Sequence, residues 1–498
     1  MKTALIALAT ALTLQARPAT AADAWLEVKS PHFTVLSNAG DKRARDVAWQ
    51  FEQIRSAIVT IWPWVRSDLD RPVLVLAAKD ENTMKLLTPE YWEDRGRSHP
   101  DSVFVSAPDR HYIALRADAR AEDTNAINPY YASYWSYSAL LLGQSIDRDL
   151  PLWFRNGLAG VLSNTIVREN EIRLGMAPPW YLRTLAGGPR LRLPQMLTLQ
   201  ADSQYYRDPT TRQLFDAQTW GFMHYLLFGL AEDPANRSEA VLQAIINGTP
   251  SMDAFQKVFG GTDAVEGAYV LHVRKELIPY RRLRAETRVA ASAFASRPMP
   301  DPDALASRAA LHAAMGRAAD ARTLLAEARQ KADPAAAHEV DFLLAAAEEN
   351  RAAMRASLLN AEQRGSPSFY ALYRLATVEL PDGRPDAAAL ALAERRLQKA
   401  VELNPFHAES LASLAHVVAL GPPESRLRAV PMAQKAVTLD PGDAFVRATI
   451  ARALWNAGQR DVAMQQAQTA LRLATNDQAR QNAQQLIDFF TKSASAPR

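Results

Sequence analysis

Between Asp41 and Ile61 the apolar residues Ala44, Val47, Phe51, Ile54, Ile58 and Ile61 recur at helical spacing, with charged and polar residues between them. That period predicts an amphipathic helix lying on a core. The flanking stretches follow a shorter rhythm. Trp25–Val28 and His32–Leu36 read as strands, and Pro72–Ala77 is a short apolar run suited to a buried strand. Ser102–Ser106 and Tyr112–Leu115, with Ala107–Arg110 between them, predict a hairpin. Residues 25–125 therefore read as a small α/β unit.

The pattern then becomes mainly helical. One helix is predicted from Asn128 to Gln144, and a second starts after Leu150-Pro151, since proline is tolerated in the first turn. Trp180–Ala186 is a helix ended by Gly187-Gly188-Pro189. Phe215–Leu230 follows, two more helices end at Asn247-Gly248 and at Phe259-Gly260-Gly261, and Glu266–Arg282 is predicted as the closing helix. Nine of the ten tryptophans lie at or before Trp220, so residues 25–282 form an aromatic-rich unit and the remainder does not. Residues 283–301, rich in Ala, Ser, Pro and Arg, read as a linker.

From Pro302 the composition turns to Ala, Leu, Arg and Glu with short breaks. Small residues recur as Ala321 and Ala328, Ala393 and Ala400, Ala429 and Ala436, and Ala463 and Ala470, with Pro405 and Pro441 closing two of the sets. This spacing resembles tetratricopeptide repeats, where small residues sit at close helix crossings. Gly316 and Gly458 mark turns inside repeats, residues 335–392 hold helices in no fixed register, and Gln478–Lys492 reads as a terminal capping helix. A generic Ala-rich helical bundle is the plain alternative. Repeats of this kind imply a protein or peptide partner, and the segment 302–492 is expected to fold without the lobe before it.

The central stretch, Tyr130 to Ser163, contains Leu150-Pro151-Leu152-Trp153-Phe154-Arg155-Asn156-Gly157-Leu158-Ala159-Gly160. It resembles the active-site segment of gluzincin metallopeptidases, in which one helix carries HExxH and the next carries a glutamate in an NEGLAE-like phrase. In this register the HExxH slot falls on Tyr134-Trp135-Ser136-Tyr137-Ser138 and the third-ligand slot on Asn156. Two histidines four residues apart share a helix face and reach one zinc ion, with the intervening glutamate as base. Tyr134 and Ser138 keep the spacing but are poor ligands, Trp135 cannot take a proton from water, and Asn156 offers only a neutral oxygen. The resemblance implies an α+β gluzincin-like lobe over 25–282, helical from 126 onward, followed by an all-α repeat solenoid over 302–492. It does not carry zinc proteolysis over to this chain: no catalytic residue, metal or cofactor is expected.

Length and composition narrow the class. At 498 residues the chain exceeds what one core holds. Its 48% hydrophobic and 22% charged content is that of ordinary folded protein. The formal charge of +3 drops by two if Lys2 and Arg17 leave with a leader, so net charge makes no case for nucleic acid or for an acidic membrane surface. Residues 1–21 read as a secretory signal, with Lys2, the apolar run Ala4–Leu14 and the small-residue site Ala19-Thr20-Ala21. That run is too short to span a bilayer, and the mature chain is expected in the periplasm or outside the cell. The absence of cysteine excludes disulfides and a thiol nucleophile.

Other chemistry is thin. His338-Glu339 lacks a second histidine, His224 reads as a core histidine, and His99 and His111 flank the hairpin. Glu169 and Glu171 stand among Arg168 and Arg173 as a solvated charge cluster. No GxSxG, SxxK or P-loop pattern is present. Tyr130, Tyr131 and Tyr137, with Tyr134 and Trp135, either fill the volume of a lost metal site or line an aromatic cleft for a peptide or glycan. The reading that follows is an exported, non-catalytic protein-binding scaffold. The alternatives are a hydrolase using another or a weakly metal-dependent mechanism, and a peptide or glycan binder.

Overall fold

The computed structural model describes residues 24–93, 99–119, 127–146, 150–187, 190–285, 290–380 and 385–495. The leader read at 1–21 lies outside the described residues. The chain forms an N-terminal sheet region followed by a long run of helices. Strands β1 (Leu26–Lys29) and β2 (Phe33–Ser37) lead into helix α1 (Asp41–Ile61), which matches the apolar period in full. Then come β3 (Val73–Ala78), α2 (Glu81–Leu87), the single turn α3 (Glu90–Glu93), β4 (Ser102–Ser106) and β5 (His111–Arg116). Asp80 starts α2 by accepting from the Thr83 backbone N–H.

A helical layer follows: α4 (Tyr131–Ser145) and α5 (Leu152–Ser163), a short hairpin of β6 (Ile166–Val167) and β7 (Glu171–Leu174), then α6 (Pro179–Gly187), α7 (Leu193–Thr198), α8 (Gln204–Arg207) and α9 (Pro209–His224). A wide turn, Tyr225–Gly229, runs off α9, and α10 (Arg237–Ile246), α11 (Ser251–Phe259) and α12 (Asp263–His272) complete the layer. The predicted closing helix Glu266–Arg282 is shorter than expected. It stops at His272, Pro279 lacks the N–H a helix would need, and Arg281–Arg284 pairs instead as strand β8 on β7.

The main sheet has the order β4-β5-β3-β2-β1-β9, where β9 is Ala295–Pro298. Strands β2, β3 and β5 run parallel, and β1, β4 and β9 pair antiparallel to their neighbours. The stretch 283–301, which composition marks as a linker, is thus built into both sheets: it carries the end of β8 and all of β9. Its sequence carries no apolar period because Ala-Ser-Arg-Pro is exposed throughout; it is held by backbone pairing and by Arg297, which donates to Glu27 across the strands at 2.7 Å.

Strand β3 is buried on both faces. Val73, Val75 and Ala77 join a core with Phe51 and Ile54 of α1 and the tyrosines of α4. Leu74, Leu76 and Ala78 join a second core with Ala306, Ala309 and Leu311. Those last residues belong to α13 (Asp301–Ala314), the first helix of the array. Burial on both faces is why β3 reads as an unbroken apolar run and not as an alternating strand.

The array continues in packed helix pairs: α13 with α14 (Ala318–Lys331), α15 (Ala335–Ala347) with α16 (Arg351–Gln363), and α17 (Phe369–Glu379) with α18 (Ala387–Leu403). Next come α19 (Ala408–Leu420), a turn α20 (Pro423–Arg426), α21 (Ala429–Leu439), α22 (Ala444–Asn456), α23 (Arg460–Leu473) and a last helix α24 (Asp477–Ser495). Ala321, Ala328, Ala393, Ala400, Ala429, Ala436, Ala463 and Ala470 are all buried. Gly458 turns between α22 and α23 at φ +82°, a conformation that favours glycine.

Because α13–α15 share a core with the sheet, the array does not begin as a separate body. The segment 302–492 expressed alone should keep helix packing from α17 onward and lose it over α13–α15, read as hydrogen-exchange protection by segment. Leu76→Ala in the whole chain should cost about 2–5 kcal/mol and weaken protection of β3 and α13 together. Protection of an unaltered α13 in the isolated segment would contradict this.

Candidate functional site

Helix α5 sits at the centre of the helical layer. Every residue from Leu152 to Ser163 except Arg155 is buried, so the helix is apolar around nearly its whole circumference. Trp153 is fully buried and donates from Nε1 to Ser251 Oγ at 2.9 Å. Gly157 marks the closest approach to α9: a Cβ there would lie 2.6 Å from the Thr219 carbonyl oxygen and 2.9 Å from Met223 Cβ. The phrase Leu-Trp-Phe-Arg-Asn-Gly-Leu-Ala is therefore a packing signature for α5 against α9. Asn128, expected to open α4, instead ties its approach to the end of α5. The Asn128 backbone N–H donates to Asn164 Oδ1 at 2.8 Å, and its side chain donates to the carbonyls of Ser163 and Thr165. Helix α4 then starts three residues later, at Tyr131.

The four slots of the zinc register have distinct surroundings. Tyr134 is 1% exposed and meets Phe51 of α1 edge-on, with ring centroids 5.3 Å apart. Tyr137 packs 5.6 Å from Phe33, and Tyr130 stacks on Phe51 while donating its hydroxyl to the Arg116 carbonyl at 3.2 Å. Trp135 is half-buried. Ser138 is buried, with no hydrogen-bond partner for Oγ. Burial pushes the phenols of Tyr130, Tyr134 and Tyr137 far above their ordinary range. A phenolate ligand at 134 is correspondingly harder to form.

Asn156 points elsewhere. It is 2% exposed, and its Nδ2 donates to Tyr206 Oη and to Asp216 Oδ1, both at 2.9 Å. The Asp216 carboxylate can only accept, which fixes the amide's orientation and leaves Asn156 Oδ1 buried without a partner. Burial raises the Asp216 carboxyl, while the bond from Asn156 pulls it back down. A glutamate at 156 would set a second carboxylate against Asp216. Asn156 therefore belongs to a polar group on the α9 side, whereas Tyr134 belongs to the aromatic core on the α1 side. Among the described residues, no group of three or more His, Cys, Asp or Glu side chains is gathered to hold a metal ion.

Of the rings considered for an aromatic cleft, Tyr130 and Tyr137 are buried at 2% and 1% exposure. Tyr131 is half-buried, edge-on to Trp180 at 5.1 Å and to Tyr181 at 6.3 Å, with its hydroxyl shut in. These rings mainly fill volume: Tyr130 and Tyr137 reach the walls of two separate small pockets, of about 210 and 260 Å³, and together line no common cleft. His338 bonds Asp333, and Glu339 accepts from Ser366 and pairs with Arg110 across to the hairpin of β4 and β5. Glu171 is held by Arg173, and Glu169 is exposed.

Two features carry no sequence signal. The first is a cleft of about 730 Å³ between the loop after α1 and the turns of the array. Arg66, Asp68, Asp70, Arg71 and Gln144 line one side, and Phe406, Leu439, Asp440 and Pro441 the other. Arg66 donates to the Thr438 and Leu439 carbonyls at the end of α21, at 2.9 and 3.1 Å, and Asn404 donates to the Asp70 carbonyl. Burial works against the Asp70 carboxylate, but His111 and Arg71 beside it hold it down to about 2. Phe406 remains 38% exposed at the cleft. The second is a pair of buried histidines, with His224 Nδ1 2.9 Å from His272 Nε2 and His224 Nε2 2.9 Å from the Gly175 carbonyl. That carbonyl only accepts, so His224 carries its proton on Nε2 and accepts a hydrogen bond at Nδ1 from the His272 Nε2–H. His272 Nδ1 is left with no partner.

Compared with known proteins, the chain matches no family model and no curated protein.

The close approach at Gly157 makes Gly157→Ala destabilising by about 1–3 kcal/mol, read in chemical denaturation. The histidine pair gives a pH dependence. Burial, reinforced by the facing His272 ring, holds His224 down to about 3, and burial holds His272 down to about 4. Both are neutral in the fold and take up protons near pH 6.5 when unfolded. Their contribution is complete above pH 6.5 and is lost as pH falls toward the folded values. At pH 5 His224 alone should remove about 2 kcal/mol. The melting temperature should drop between pH 7 and 5, and His224→Gln should flatten that slope; an unchanged slope would show that the pair does not titrate as described.

Proposed function

We propose that the chain is an exported, non-catalytic binding protein: a gluzincin-like lobe without its zinc chemistry, joined to tetratricopeptide repeats that hold a protein or peptide partner. The observation that carries this reading is the chemistry at the four slots. A buried phenol, an indole, a buried hydroxyl and an amide already committed to Asp216 stand where two imidazoles and two carboxylates would be required. The lobe's remaining role in this reading is to form one wall of the cleft beside the array. That cleft, with Phe406 partly bare and acids and arginines on its rim, has the size and mixed lining that suit a peptide segment. Export rests on the leader at residues 1–21.

Purified protein should hold no stoichiometric zinc by elemental analysis and show no chelator-sensitive peptidase activity. The quadruple variant Tyr134→His, Trp135→Glu, Ser138→His and Asn156→Glu should gain no zinc affinity, nor should any of the four single variants, because position 134 faces Phe51 and position 156 faces Asp216. Asn156→Glu alone should instead lower stability, because its carboxylate meets Asp216. A photo-crosslinking residue at 406 should capture the partner at the cleft. Chelator-sensitive cleavage by the wild-type chain, abolished by Asn156→Ala, would overturn the reading.

A further inference from the structure

Among the described residues, the two most exposed large apolar side chains belong to one segment. Leu277 is 85% exposed and Leu271 is 68% exposed. Between them and Arg284 the chain carries Arg274, Lys275, Arg281, Arg282 and Arg284 against the single carboxylate of Glu276. All five cations are exposed. The neighbouring acids do little to offset them. Glu171 lies 4.0 Å from Arg282 but is already held by Arg173, and Asp263 and Glu266 on α12 are taken by Arg192.

Arginines on an edge strand have an ordinary use, since they discourage unwanted strand pairing. β8 is such an edge, paired only with β7. That explanation covers Arg281, Arg282 and Arg284. It does not cover Arg274, Lys275, Leu271 or Leu277, which lie off the strand. An acidic peptide adding to β8 would satisfy the arginines and leave both leucines in water. An anionic bilayer surface takes both kinds of side chain at once: cations over the phosphates, and leucines at the boundary of headgroups and acyl chains. No described helix is long and apolar enough to cross a membrane, so contact of this kind would be peripheral.

We propose that the segment 271–284 docks the protein onto an anionic phospholipid surface, with Leu271 and Leu277 inserted and Arg274, Lys275 and the same-face pair Arg282 and Arg284 over the headgroups. Docking is independent of whether the cleft between lobe and array binds a peptide.

The test is co-sedimentation of the purified chain with vesicles of phosphatidylglycerol and phosphatidylcholine in equal parts, against vesicles of phosphatidylcholine alone. The chain should bind the first and not the second, and high salt should weaken binding. Leu277→Ser should lower the partition constant about tenfold. Arg282→Ser and Arg284→Ser, on one face of β8, should each lower it about fivefold, and Arg281→Ser, on the other face, should lower it less. Lys399→Ser, an exposed cation on α18, should leave it unchanged. Leu277 makes the surface variant safe for folding, which circular dichroism can verify. Equal binding to both vesicles, no binding to either, the same loss for Lys399→Ser as for the arginine variants, or capture by polyglutamate in place of vesicles would each overturn the proposal.

Discussion

The two-sided burial of β3 is the constraint on which the rest of the structure depends. A parallel strand has helices across both faces because its connections leave the sheet on both sides. Here one face is covered from within the lobe, by α1 and the tyrosines of α4. The other is covered by α13 and its neighbours, which open the array. Strand β9 strengthens this arrangement by returning the chain to β1 immediately before α13 begins. The sheet is thus shared property, and the array's first helices have no complete core without it. The cleft at the loop after α1 is a consequence: its two walls are held at a fixed spacing by the sheet below and by the bonds from Arg66 and Asn404.

How much of this was legible depended on whether the signal lay in side-chain pattern. Helix α1 and strands β2 to β5 have strong apolar periods, and their positions follow from them. The apolar run at Pro72–Ala77 announced burial but not what would cover the second face. Strand β9 has no hydrophobic signal at all, so a stretch with loop-like composition became a strand through backbone pairing that side chains do not report. At the candidate site, residue types were readable and directions were not. The sequence placed Tyr134 and Asn156 in one register, yet their nearest partners are Phe51 on one side and Asp216 on the other. His224 and His272 are 48 residues apart and meet only because α9 and α12 pack together.

The aromatic residues before and along α4 set the chemistry of the core they enter. A metal centre needs polar groups, an open coordination position and water. Tyr130, Tyr134 and Tyr137 instead bring large rings into contact with Phe33 and Phe51, and burial holds their hydroxyls protonated. Asn156 of α5, Tyr206 of α8 and Asp216 of α9 form a small polar group of their own. An amide suits that group better than a carboxylate, since it can donate to Asp216 where a second anion would repel it. The aromatic filling around Tyr134 and the amide at Asn156 each disfavour a charged, metal-binding set at these positions.

Net charge described this molecule poorly, and the fold explains why. A formal +3 spread evenly over 498 residues would create no field of consequence. The array instead pairs many of its charges internally, as Arg396 does with Glu362 and Glu379, or Arg329 with Asp333 and Asp341. The loop before β8 and the strand itself do so less: Arg282 reaches Glu171 at 4.0 Å, and that carboxylate is also held by Arg173. β8 closes a three-stranded sheet as its outer edge, and although Val273 and Ile278 anchor the loop before it in the core, Arg274, Lys275 and Leu277 stay exposed. Positive charge accumulates there because the topology leaves it unanswered. The same exposure leaves Leu277 without an apolar neighbour to cover it. A bare leucine among cations is unfavourable in water, and an interface that is apolar below and anionic above removes both penalties together.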